Sequence, residues 1–206
     1  MREPEVPAVT GDLVVRELVG LLRLLLSRPR AALRRLERLV GVLRARVIFR
    51  RCECGALVVA LGDVNVTGEG SIRIGNRVQF AGGMFATTLY TAAGGVIAID
   101  ALTFLSYGVS IAASKRVQIG KRCQIASMVL IRDQNELTTA PVTIGDDVWL
   151  AYGVIVEPGV SIGNDSVVSA GSVVRSDIPP FSLAQGNPAT WSPLRSTAGP
   201  PSLKPI

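Results

Sequence analysis

From Ile144 onward an aliphatic residue returns at every sixth position: Ile144, Leu150, Val156, Ile162, Val168 and Val174. A helix repeats near every fourth residue and a strand every second, so neither explains the beat. A short strand plus a turn does explain it, and three such units close one triangular coil whose aliphatic residues stack on those of the next, at about 4.8 Å per coil. Valine or serine recurs four residues after each marker, at Val148, Val154, Val160, Ser166 and Ser172, as a second inward position requires. The fold read from this pattern is mainly β: a parallel β-helix of hexapeptide repeats.

The register extends upstream through Ile74, Phe80 and Ala86, then Ile99, Leu105 and Ile111, then Ile119, Ile125 and Ile131. After the third marker of each of these coils the spacing exceeds six. Segments 87–95, 113–117 and 132–141 are therefore expected to leave from one corner of the prism and to stack into a ridge. Loops on a rigid scaffold are where function concentrates.

With 206 residues, 48% of them hydrophobic, the chain can build one main domain with an appendage. Its 21 glycines and 5% aromatic content suit a coil made of tight turns. The net charge of +6 is concentrated between Arg28 and Arg51, while the repeats are nearly balanced. No basic groove interleaved with aromatics accompanies it, so nucleic acid is excluded as a partner. Cys52, Cys54 and Cys123 lack zinc-ligand spacing, and the chain has no histidine to complete a metal site. A reduced, cytoplasmic setting is expected, with Cys123 as a small core residue. Residues 1–10 lack the basic-then-apolar order of a secretion signal, and Arg23 breaks an apolar run too short to span a bilayer.

Ahead of the repeats, segments 11–27 and 29–50 read as two helices. Leu33, Leu36, Val40, Leu43 and Val47 form an apolar stripe on the second, with Arg34, Arg35, Arg38, Arg44 and Arg46 largely off it. The stripe is expected to pack on the open end of the coil or on a neighbouring subunit, hiding strand edges. Peripheral contact with an anionic membrane surface is the alternative. The domain boundaries are a helical extension at 1–51, the β-helix at 52–189 and a tail at 190–206.

Residues 141–189, PVTIGDDVWLAYGVIVEPGVSIGNDSVVSAGSVVRSDIPPFSLAQGNPA, resemble the hexapeptide-repeat acyltransferases, close to the maltose, galactoside and colanic-acid-type acetyltransferases. The segments Asp177-Ile178-Pro179-Pro180 and Gly186-Asn187-Pro188-Ala189 carry the resemblance beyond the repeat itself. It implies a left-handed coil, a homotrimer with active sites between subunits, a small-molecule acceptor, and acetyl-CoA or another acyl-CoA along a column of small residues. By position these residues are Ala151, Gly153, Ser169, Ala170, Gly186 and Pro188. Thr190 stands where relatives carry a basic residue that meets a CoA phosphate, and Arg195 is its expected substitute.

Relatives place a catalytic histidine on the loop after an Ile-x-Asp strand end. Here that stretch is Ile131-Arg132-Asp133, followed by Gln134-Asn135-Glu136, and imidazole is absent. Glu136 or Asp133 is then the expected base, with Asn135 beside them. A carboxylate serves this role when desolvation or a neighbouring acid raises its pKa. Leu105-Ser106-Tyr107-Gly108-Val109 stands where relatives carry an asparagine that holds the acceptor, so Ser106 and Tyr107, with Trp149, are the expected substrate contacts. Acyl transfer is the leading reading. Other chemistry on a small molecule, such as cyclisation, elimination or rearrangement, is the second, and a non-catalytic homologue is the third.

Overall fold

The computed structural model describes residues 29–194, with side chains from Leu33 onward. One helix, α1 (Pro29–Ile48), precedes twenty short strands, β1 (Glu53–Cys54) to β20 (Ala189–Pro193). The expected helix at 11–27 lies outside the described residues. Every third strand joins the same parallel sheet. Sheet A runs β1-β4-β7-β10-β13-β16, sheet B runs β2-β5-β8-β11-β14-β17-β19-β20, and sheet C runs β3-β6-β9-β12-β15-β18. Six coils therefore wind through faces A, B and C in turn, as the sixfold spacing predicts. The final pair, β19 (Ser182–Gly186) and β20, is an antiparallel hairpin.

The prism is filled by its markers. Ile99, Leu105, Ile111, Ile119, Ile125, Ile131, Ile144, Leu150 and Val156 are at most 1% exposed, and so are the second inward residues Val148, Val154, Val160, Ser166 and Ser172. Cys123 is buried in this core, where desolvation pushes its thiol up to about 11. Among the described residues all three cysteines are unpaired, and burial also raises the thiols of Cys52 and Cys54.

Two placements differ from the sequence reading. The third marker of the second coil is Leu89, paired with Ile111, and not Ala86. Residues 87–91 are thus strand β6 (Thr87–Thr91), and the extra residues divide between 81–86, at the corner from face B to face C, and 92–95, at the corner from C to A. Thr87 and Thr91 fill inward positions at 1% exposure each, a substitution that an aliphatic search passes over. The ridge from C to A survives in shorter form, built from 92–95, 114–115 and 133–141.

The second difference concerns α1. It does cover the first coil, but through Gly41, Ala45 and Phe49 and not through the leucine–valine stripe. A Cβ on Gly41 would stand 2.7 Å from Val59 Cγ1, so only a small residue lets the helix approach β2 (Val59–Ala60) so closely. Ala45 and Phe49 are 1% exposed, and the Phe49 ring lies 5.1 Å from that of Phe80. The bulkier stripe is left outside.

Candidate functional site

At the corner from C to A, β12 (Leu130–Arg132) runs into the longest loop of the coil region, 133–141. Asp133 is fully buried at its start. Its Oδ1 accepts the backbone N–H of Ser114 at 2.7 Å, and its Oδ2 accepts those of Lys115 and Arg116 at 2.6 Å each. This carboxylate closes the fourth coil onto its own beginning. Asp177 does the same two coils later, accepting the amide of Ser161 at 2.7 Å. With both oxygens engaged by backbone, Asp133 is placed to shape the ridge and not to meet a substrate proton, contrary to its expected role as base.

The rest of the loop is stitched down. Asn135 Oδ1 accepts the amides of Leu137 and Thr138 at 2.9 Å, forming a tight turn. Lys115 Nζ donates to the carbonyl of Thr139 at 3.0 Å, and the Ser114 hydroxyl bonds Gln134. Glu136 and Leu137 occupy the exposed tip, Leu137 at 94%. Glu136 is therefore the ridge acid whose carboxylate reaches outward.

Beneath the loop, an ion pair that the sequence reading did not single out joins the fourth and fifth coils. Arg132 Nη2 donates to Glu157 Oε1 at 2.6 Å, and Asn135 Nδ2 donates to Glu157 Oε2 at 3.3 Å. The Arg132 hydrogen bond holds the Glu157 carboxyl below the usual carboxylate range, with Asn135 and Arg175 adding to it. Arg132 Nε is buried without a hydrogen-bond partner. The signal lay in the repeat: Arg132, Glu157 and Arg175 follow the third markers Ile131, Val156 and Val174, which pair in register, so their side chains stack along one edge of face C.

The small residues assemble at the opposite edge of that face, the corner from B to C. Ser106, Ala126, Ala151 and Ser169 occupy equivalent positions in successive coils, as the ladder from Ser106 N to Ile125 O, Ala126 N to Leu150 O and Ala151 N to Val168 O demonstrates. Tyr107, Ser127, Tyr152 and Ala170 come next, then Gly108, Met128, Gly153 and Gly171. Gly153 and Gly171 have φ of +66° and +70°, and a Cβ on either would meet nothing within 4 Å. These glycines serve a left-handed turn and leave open space above it. The hairpin closes the row, with Gly186 N donating to Ser172 Oγ at 3.1 Å and Pro188 exposed beside it.

The Ser106 and Ser127 hydroxyls lie 2.7 Å apart at the same corner. Loop 81–86 presses on Tyr107, since a Cβ on Gly83 would fall 2.1 Å from that ring. Trp149 lies apart from them, 45% exposed on face B in line with Gln124 and Val167. Arg195 lies outside the described residues.

Apart from Trp149 and Arg195, the expected site residues fall into two groups on one chain: a polar ridge with Glu136 at one edge of face C, and an open row of small residues with Ser106 and Tyr107 at the other.

Residues 141–176 match the family described as bacterial transferase hexapeptide (six repeats). Among individual proteins, the galactoside O-acetyltransferase of Escherichia coli (strain K12) is 34% identical over 111 residues, covering 48% of this chain and 55% of that protein. The chain thus spans about half the length of that curated relative. A hexapeptide-repeat acetyltransferase from Vibrio cholerae superposes with a TM-score of 0.50 at 29% identity, covering 59% of this chain and 73% of that one. A galactoside acetyltransferase solved in complex with coenzyme A shares the fold at 23% identity and a TM-score of 0.50, covering 90% and 84% of the two chains.

Proposed function

We propose that this chain is an acyl-CoA-dependent O- or N-acyltransferase acting on a small molecule, with sites shared between the subunits of a homotrimer. The observation that carries the reading is the separation of the ridge from the small-residue corner by the width of face C. A site that needs both is completed when the ridge of one copy meets the corner of another. Similarity to acetyltransferases supports the chemistry, and the open space above Gly153 and Gly171 suits an extended thioester arm.

The acyl-CoA thioester supplies the activated acyl group. Glu136, at the tip of a loop anchored by Asp133 and Asn135 and desolvated in this reading by the corner of the neighbouring copy, takes the proton of the acceptor hydroxyl or amine as that atom attacks the thioester carbonyl. The carbon–sulfur bond then breaks, and Glu136 returns the proton to the departing thiolate, which leaves as the free thiol. Ser106 and Tyr107 orient the acceptor. A carboxylate is a weaker base than imidazole, so an amine, which loses its proton readily once attack begins, is the better-matched acceptor.

Thiol release from acetyl-CoA, measured over a panel of amine and hydroxyl acceptors, tests the proposal. Glu136→Gln should lower turnover by about a hundredfold or more while leaving the melting temperature unchanged. Equal turnover in the variant would remove Glu136 from the mechanism.

A further inference from the structure

Helix α1 covers the coil with its narrow face and leaves its wide one bare. Leu33, Leu36, Val40, Leu43 and Val47 are 44–70% exposed. Val40, Leu43 and Val47 also wall a cleft of about 640 Å³ that runs beside Val64 and Ala86. The segment that carries this surface has charge of one sign. Between residues 29 and 51 there are eight arginines and a single acid, Glu37, so the segment is more positive than the whole chain at +6. Arg44 is paired with Asp63 at 3.0 Å. Arg34, Arg38 and Arg46 are exposed, with no ion-pair partner among the described residues.

We infer that α1 docks the protein on an anionic lipid surface, lying in the interface with its stripe in the acyl boundary and its arginines among the phosphates. No helix among the described residues is long and apolar enough to cross a membrane, which suits a helix lying flat. Charge decides between this occupant and its competitors. Segment 11–27 carries two acids and two arginines, so covering the stripe with it would bring no net counter-charge. A second copy of α1 would add the same arginines again. An anionic surface satisfies the stripe and the arginines together. The loop 133–141 would then stand three coils, about 14 Å, from the first coil.

Co-sedimentation of the full chain with vesicles of phosphatidylglycerol, against vesicles of phosphatidylcholine, tests the inference. The protein should pellet with the anionic vesicles alone, and added salt should release it. The double variant Leu43→Glu/Val47→Glu and the triple variant Arg34→Glu/Arg38→Glu/Arg46→Glu should each weaken binding by about tenfold or more. Both sets are exposed, so melting temperatures should hold. A full chain left in the supernatant with phosphatidylglycerol would overturn the inference and assign the stripe to segment 11–27 or to a second copy. Undiminished binding by both variants would overturn it equally, because the lipid contact would then lie elsewhere.

Discussion

Arg132 and Glu157 form a hydrogen-bonded ion pair between the fourth and fifth coils, 2.6 Å from Nη2 to Oε1, under the root of the ridge. Glu157 is the more sheltered partner, with 15% of its side chain exposed against 37% for Arg132. Asn135 adds a second donor to the same carboxylate, so one acid ties the loop to the scaffold.

Replacing Glu157 by Gln should cost about 1–3 kcal/mol at neutral pH, since a charge-assisted bond is lost and Arg132 is left underpaired. The folded-state pKa of Glu157 lies below its ordinary value of 4.5. Its contribution is therefore complete above that value and disappears as pH falls through the lower, folded-state one. Thermal melts of both proteins across the acid range should show curves that converge below pH 4.5. A gap that stays constant with pH would exclude the ionised pair as the cause.

Asp133 should behave as a structural residue. Asp133→Ala leaves three backbone amides at the ridge root without their acceptor, a loss of about 3–5 kcal/mol measurable by urea unfolding. A variant that melts like the parent yet loses all turnover would return Asp133 to a chemical role.

Gly153 and Met128 occupy the same turn position in neighbouring coils, with φ of +66° and +61°. Gly153→Met therefore asks the chain for a conformation that a methionine already adopts one coil away. The expected cost is about 1 kcal/mol. Its side chain would fill the open space, so CoA should raise the melting temperature of the parent and leave that of the variant unchanged. An equal rise in the variant would place the CoA arm elsewhere.

The coil was legible because its inward column follows backbone geometry directly: each marker must be apolar, and every sixth residue is. What escaped were positions where another side chain meets the same demand. Thr87 and Thr91 turn inward in β6, which hid a strand and shifted a marker from Leu89 to Ala86. The stripe on α1 had the right periodicity, but close approach to Val59 needed the small face with Gly41. For Asp133, sequence placed an acid at the right corner without revealing that three amides already occupy it. Glu157 was visible only through stacking, once residues after successive third markers are seen as neighbours.

A mixed-subunit experiment tests the shared site most directly. Chains carrying Glu136→Gln and chains carrying Gly153→Met, each inactive alone, are co-expressed with different tags and purified as mixed oligomers. An intact ridge from the second chain then meets an intact corner from the first, so thiol release from acetyl-CoA should reappear in the mixture. Mixed oligomers as inactive as either parent would contradict a site divided between subunits.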